Sequence, residues 1–357
     1  MKTELRKKTT TYRKGKKGDI RQMDLMILPG FLLTLLFCYI PMFGIVLAFK
    51  NFNPNLGILA SKWVGFDNFK FFFKSNDFVM LMRNTVLYAL WFIVLCNFTN
   101  IVFAIMCYNI KKTWALKYYQ TTSILPTFMS IVLVSYIVYL VLSPVNGILN
   151  NLLVKFGMER IDWYADPKYW PFILSVVKVW NGVGYGSLLY YATMVGIDET
   201  LFEAAEIDGA NKFRQIIHII IPEIMGLLCL QIIMGVGHAM SGDFGLFYQI
   251  PRNIGLLYPT TDILNTYTFR ALQAGTSMGR TTAIGLFQSL AGVILLVICN
   301  SVIKKIDEDK GNIVNVCSEM GFRHAPFAYG ISKWGVRGMT MGIGKELVLN
   351  VKNSKYI

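Results

Sequence analysis

Six apolar stretches run along this chain, near residues 26–49, 83–108, 121–143, 169–194, 223–244 and 281–303. At the ~1.5 Å rise of a helix, about 20 such residues cross the ~30 Å hydrocarbon core of a bilayer. That core holds no water to satisfy backbone N–H and C=O groups, so each stretch takes the form that bonds them internally. The spacing predicts an all-α membrane protein with six transmembrane helices. Only 16% of the 357 residues are charged, against about 25% in a soluble domain, which places the bulk of the chain in lipid. The connectors 50–82, 109–120, 144–168, 195–222 and 245–280 are polar or rich in Gly, Pro and Asn.

The formal net charge of +14 is unevenly spread. Lys2, Arg6, Lys7, Lys8, Arg13, Lys14, Lys16, Lys17 and Arg21 crowd into a basic N-tail, residues 1–25, ahead of the first stretch. Basic runs against an apolar span mark the cytoplasmic side. They also gain about 1 kcal/mol per residue from anionic headgroups. No aromatic or helix-turn-helix setting accompanies these charges, which argues against nucleic acid as a partner. The first stretch is too long for the ~7–15-residue core of a cleaved signal peptide and is expected to stay as an anchor. With the N-tail inside, seventeen basic residues up to 310 face the cytoplasm and eleven face out. The chain is therefore expected to be a multi-pass protein of the cell membrane, with both termini cytoplasmic.

Rings gather where interfaces are expected: Trp63, Phe66 and Phe69 to Phe73 precede the second stretch, and Tyr164, Tyr169 and Trp170 precede the fourth. Phe71, Phe72 and Phe73 read as a half-buried interfacial helix. Cys38, Cys96, Cys107, Cys229, Cys299 and Cys317 show no paired spacing, so neither a metal site nor a disulfide framework is indicated. His218, His238 and His324 lie far apart and read as ordinary packing residues.

Polar side chains inside the stretches face a cavity or another helix. Candidates for a substrate path are Asn97, Asn100, Lys178, Asn181, Tyr185, Tyr190, Gln231 and Asp243, with Tyr191 and His238 beside them. Lys178, Asn181 and Tyr185 share one helical face. Neutral hydrogen-bonding groups among aromatic rings suit a sugar, whose hydroxyls want bidentate partners while its ring face stacks. Each residue taken singly reads more readily as helix–helix glue, worth about 0.6 kcal/mol per bond, whereas the set on the fourth and fifth spans reads as a translocation path. Lys178 lies about two turns from the outer boundary, within reach of snorkelling. The glycines of Gly182-x-Gly184-x-Gly186 point to close backbone packing or a kink.

Between the fourth and fifth stretches lies Glu203-Ala204-Ala205-Glu206-Ile207-Asp208-Gly209-Ala210, followed by Ile219-Ile220-Ile221-Pro222. High alanine propensity starts a short helix. Gly209 permits a turn, and Phe213, Ile216, Ile217 and Ile220 give a second short helix an apolar face. Pro222 is expected to end that helix before the fifth span. The register E-A-A-x3-G-x9-I-x-[IL]-P resembles the EAA loop of permease subunits of binding-protein-dependent ABC importers. The Ile-Asp-Gly-Ala continuation is similar to their sugar-importing branch. Two further stretches support the likeness. Residues 63–69, Trp-Val-Gly-Phe-Asp-Asn-Phe, resemble maltose-type permeases. Residues 261–267, Thr-Asp-Ile-Leu-Asn-Thr-Tyr, resemble an outer loop of oligosaccharide permeases.

The resemblance covers roughly residues 20–306 and implies the type I ABC importer permease fold over residues 26–310, with 195–222 as the cytoplasmic loop. It implies that Glu203, Ala204, Ala205, Asp208, Gly209, Ala210, Ile219 and Pro222 couple the chain to an ATPase, seated helix-in-groove. The implied partners are a second, homologous permease subunit, two ATPase subunits carrying ATP-Mg, an extracytoplasmic solute-binding protein and a sugar substrate. The pattern GxxxxGK[ST] is absent, so the chain is not expected to hydrolyse ATP or to carry a cofactor of its own.

After Lys310 the composition changes. Gly311 to Ser318 reads as a buried strand, followed by Tyr329-Gly330-Ile331-Ser332-Lys333 and Trp334-Gly335-Val336-Arg337-Gly338. Residues 311–357 thus resemble a short, α/β-like fragment of a short-chain dehydrogenase/reductase. The likeness gives Ser318, Tyr329 and Lys333 the catalytic positions. No glycine-rich cofactor turn follows a predicted strand anywhere in the chain, so the fragment is expected to be inactive. Dehydrogenase activity and proton-coupled secondary transport are the alternatives to an ABC permease; no inverted repeat is evident for the latter.

Overall fold

Pro222 and Pro41 each follow a five-residue π-helical turn, and the two turns explain how long apolar helices carry proline without breaking. A computed structural model describes residues 17–275 and 277–308. Proline has no N–H, and its ring collides with the carbonyl four residues back. At Leu35–Tyr39 and at Ile216–Ile220 the helix widens, with Ile40 N–H bonding Leu35 O and Ile221 N–H bonding Ile216 O. The wider turn re-registers the ladder just before each proline. Pro222 therefore does not separate a polar helix from the fifth span. Lys212–Gly237 is one continuous helix, which corrects that expectation.

Among the described residues five helices are long and apolar enough to cross a membrane: Leu25–Phe49, Phe78–Tyr108, Pro167–Val195, Lys212–Gly237 and Met278–Val302. The third expected span is instead a pair, Thr113–Phe128 and Ile131–Leu142, bent by 101°. Pro126 opens a 3-10 turn, Met129 is extended, and Ser130 caps the new helix by accepting from Leu133 N–H at 3.2 Å. The fifth helix stops at Gly237, so Asp243 lies beyond it rather than within the 223–244 window.

The first span is described by itself: helix Lys17–Thr34, the π turn and a 3-10 run Ile40–Phe49, with nearly all its apolar side chains up to Val46 exposed. From Ile45 onward the chain forms a second unit. Lys50–Asn51 pairs antiparallel with Lys62–Trp63. The helix Asp67–Phe73 buries Phe72 and leaves Phe71 and Phe73 exposed, as a half-buried interfacial helix should.

Within this unit the second and fourth spans lie side by side, joined by Trp91 Nε1–H to Ser175 Oγ (2.8 Å) and Tyr190 O–H to Asn97 Oδ1 (2.7 Å). The glycines of the fourth span permit the contact: a Cβ on Gly186 would strike the Asn100 amide, and one on Gly184 the backbone of Ser123. One apolar core sits around Val134, Trp170, Leu174, Leu246, Ile250 and Leu257. A second holds Ala104, Tyr190, Met194, Ile197, Ile220 and Ile224. The segment after Asp243 is a series of short helices, among them Tyr258–Thr261 and Leu264–Gln273. It is pinned to the second span by Asn84, Thr85 and Tyr88.

Candidate functional site

Residues 199–215 fold as two short helices around a turn that requires glycine. Asp198 caps Glu199–Ile207 by accepting from Thr200 N–H at 3.0 Å, and that amide holds its carboxyl below the usual range. The helix ends with Gly209 N–H on Glu206 O and Ala210 N–H on Ala205 O, with Gly209 at φ +75°. This is the left-handed C-terminal turn that a Cβ resists. No neighbouring atom crowds Gly209, so backbone conformation rather than packing demands it. Asn211 then caps Lys212–Gln215 through Arg214 N–H (2.9 Å). Lys212 reaches back across the turn to Glu206 at 2.9 Å, and its bond holds the Glu206 carboxyl below the usual range.

The loop's expected coupling residues are largely on the surface. Glu203, Ala204, Asp208, Gly209 and Pro222 are exposed, while Ala205, Ala210 and Ile219 are half-buried. Ile207 is 86% exposed and Phe213 is exposed beside it. A groove of about 290 Å³ runs between this loop and the Tyr108 end of the second span, lined by Tyr108, Asn109, Glu199, Phe202, Glu203 and Glu206. Lys212 and buried Gln215 also line it, with Lys212 Nζ donating to Gln215 Oε1 at 3.2 Å.

A second cavity, of about 460 Å³, opens among the second, fourth and fifth spans and the turn 238–243. It brings together Asn97, Asn100, Lys178, Gln231 and Asp243 from the expected path. Lys178 does not snorkel: its Nζ lies 2.7 Å from Asp243 Oδ2. Asp243 Oδ1 accepts from Leu246 N–H at 3.1 Å, capping Phe244–Gln249. Tyr190 is fully buried and acts through Asn97, whose Nδ2 donates to Ile93 O at 2.7 Å. Asn181 and Tyr185 do not line the cavity. Asn181 closes the break in the third span, donating to Pro126 O at 2.9 Å and accepting from Thr127 Oγ1 at 2.6 Å. Tyr185 is 58% exposed. Tyr88, Phe92, Phe244 and Phe247 also line it and were not in the expected set; His238 lines it too. For the rings, no sequence signal separates a lining residue from a core one. His238 lay among the polar candidates, and its position on the fifth span was the signal.

Comparison with known proteins matches this architecture. A family profile described as binding-protein-dependent transport system inner membrane component matches residues 100–307. The polygalacturonan/rhamnogalacturonan transport system permease protein YteP of Bacillus subtilis (strain 168) is 32% identical over 290 residues, covering 81% of this chain and 89% of YteP. The crystal structure of a bacterial ABC transporter involved in import of the acidic polysaccharide alginate superposes with TM-score 0.74 at 28% identity. The match covers 81% of this chain and 98% of that one. The same kind of transporter, solved with an alginate pentasaccharide-bound periplasmic protein, gives TM-score 0.73.

A short chain dehydrogenase profile matches residues 288–352. Its first residues, up to Glu308, lie in the single helix Met278–Glu308 rather than in a strand and turn. Ser318, Tyr329 and Lys333, with the rest of 311–357, lie outside the described residues. The helical bundle and the relatives agree, and the chain belongs to the family of inner-membrane permease components of binding-protein-dependent transport systems.

Proposed function

We propose that this permease forms half of the translocation path of an ATP-driven oligosaccharide importer, with residues 195–222 docked on an ATPase subunit. The 460 Å³ cavity carries the reading, because amides of Asn100 and Gln231 stand there among the rings of Tyr88, Phe92, Phe244 and Phe247. Amides offer paired donors and acceptors to sugar hydroxyls, and rings take the apolar sugar face. YteP, named for polygalacturonan and rhamnogalacturonan transport, and the alginate transporter both handle oligomeric sugars, which supports the same class here. The remaining partners are a second, homologous permease, two ATPases holding ATP-Mg, and an extracytoplasmic solute-binding protein. Both termini face the cytoplasm, and this chain neither hydrolyses ATP nor holds a cofactor. No step falls on residues 311–357.

In this scheme ATPase closure moves the two short helices at Gly209. Glu203 and the groove beside it meet the ATPase, and the spans around the cavity reopen toward the receptor. The test is uptake by proteoliposomes holding the whole complex, with receptor outside and ATP inside. Uptake should require ATP and receptor and be indifferent to a proton ionophore. Uptake that persists without ATPase subunits but collapses with the proton gradient would replace this reading by secondary transport.

A further inference from the structure

The charges of the cavity select among oligosaccharides, an inference that rests on the importer reading above. Lys178 is the one lysine or arginine among its lining residues, and Asp243 the one carboxylate. Both are partly accessible, at 34% and 36% of their side-chain surface. Their hydrogen-bonding states differ. Each Asp243 oxygen already accepts a bond, Oδ1 from Leu246 N–H and Oδ2 from Lys178. Asn97 is engaged at both ends of its amide, by Tyr190 and Ile93. Lys178 has three N–H donors and uses one. Among the described residues, the side-chain amides of Asn100 and Gln231, which line the same cavity, have no hydrogen-bond partner. What the cavity leaves open is thus a cation's remaining donors and, elsewhere on its wall, two amides.

An ammonium can donate to the hydroxyls of a neutral sugar, but it gives most to an anion. A sugar carboxylate needs it, because an ion moved into low dielectric without a counter-charge carries a heavy desolvation penalty. We propose that Lys178 is the specificity-determining residue for a carboxylate-bearing oligosaccharide, a uronide. The substrate carboxylate takes Asp243's place on Lys178 Nζ while its hydroxyls bond Asn100 and Gln231. Asp243 keeps its bond to the Leu246 amide, which holds the end of the cavity in shape during the exchange.

The two members of the pair then act with opposite sign. The experiment measures uptake of tetragalacturonate and of its fully methyl-esterified form by the reconstituted complex, at concentrations where the receptor is saturated with either. Loss of one charge-assisted hydrogen bond corresponds to roughly tenfold or more. Lys178→Gln should lower acid uptake by that factor and leave ester uptake within about twofold. Lys178→Arg should restore the acid. Asp243→Asn retains a good capping residue and removes the competing anion, so acid uptake below saturation of the path should rise. The proposal fails if Lys178→Gln reduces both probes alike, or if Asp243→Asn loses acid uptake as Lys178→Gln does, since the pair is then a strut. It fails too if the unaltered complex takes up the ester as well as the acid. ATP-independent uptake of both probes would instead overturn the importer reading, and this inference with it.

Discussion

The two ends of the second span, Phe78–Tyr108, treat polar groups in opposite ways. At the Phe78 end, the outer one in the proposed orientation, Asn84 Nδ2 donates to the carbonyls of Pro259 and Asp262, Tyr88 O–H donates to Thr260 O at 2.8 Å, and Thr85 Oγ1 accepts from Leu264 N–H. Asp262, 2% exposed, receives Thr266 Oγ1 and both terminal nitrogens of Arg270. The Arg270 guanidinium also stacks 3.9 Å from the Tyr258 ring centroid. At the inner end Tyr108 and Asn109 border a groove with three glutamates, of which Glu206 has a lysine partner. Among the described residues neither Glu199 nor Glu203 has an ion-pair partner. Buried polar groups are normally satisfied. A network that closes on itself is scaffold, and one left open is complete only against another surface. The difference fits rigidity at the outer end and, on the proposed reading, docking at the inner.

Breaking the outer network should have the largest effect on stability. Arg270→Leu leaves the Asp262 carboxylate buried with Thr266 as its remaining side-chain donor, and removing one partner of a buried ion pair costs about 3–5 kcal/mol. The purified protein should unfold at a clearly lower temperature in a thermal-shift assay. An unchanged midpoint together with lost ATPase coupling would reverse the roles of the two ends.

The inner end should respond the other way. Gly209→Pro forces a residue fixed near φ −65° into a position held at +75°, a local strain of about 1–3 kcal/mol. Glu203→Lys reverses charge on an exposed surface and should change stability by no more than about 0.5 kcal/mol. Both variants should insert and assemble with their partner permease, yet lose receptor-stimulated ATP hydrolysis. Full stimulation in both would remove the coupling role from residues 203–209.

These two ends also mark what sequence can show. The coupling loop is contiguous, so its helix formers, its glycine and its caps stand in one line of text, and the turn at Gly209 formed as expected. The cavity is assembled from residues far apart. Lys178 and Asp243 are 65 positions apart, and nothing in the sequence pairs them; their pairing depends on the fifth helix stopping at Gly237. Lys178, Asn181 and Tyr185 do form a helical stripe. The break at Pro126 brings a freed carbonyl against the middle of that stripe, so Asn181 closes the break and the stripe divides between cavity and packing. Rings such as Phe92 and Phe247 carry no sign of which wall they face. The bend of the third span needed Pro126, Met129 and Ser130 taken together, where an average over an apolar window saw one continuous stretch.

The smallest effects separate packing from path on the fourth span itself. Tyr190 is fully buried and its hydroxyl donates to Asn97, which lines the cavity. Tyr190→Phe removes that bond, about 0.5–1.5 kcal/mol, and frees Asn97 Oδ1 within the cavity, so a modest drop in thermal stability should accompany a change in apparent substrate affinity. Tyr185 is exposed and stands outside the cavity. Tyr185→Phe should therefore alter stability by less than about 0.5 kcal/mol and leave uptake kinetics as they were. The pair of variants differs by one oxygen atom each on the same helix, so general disturbance of the span would affect both. Reduced uptake in Tyr185→Phe with normal uptake in Tyr190→Phe would move the path to the opposite face of Pro167–Val195, and the closed and open ends of the second span would then no longer flank it.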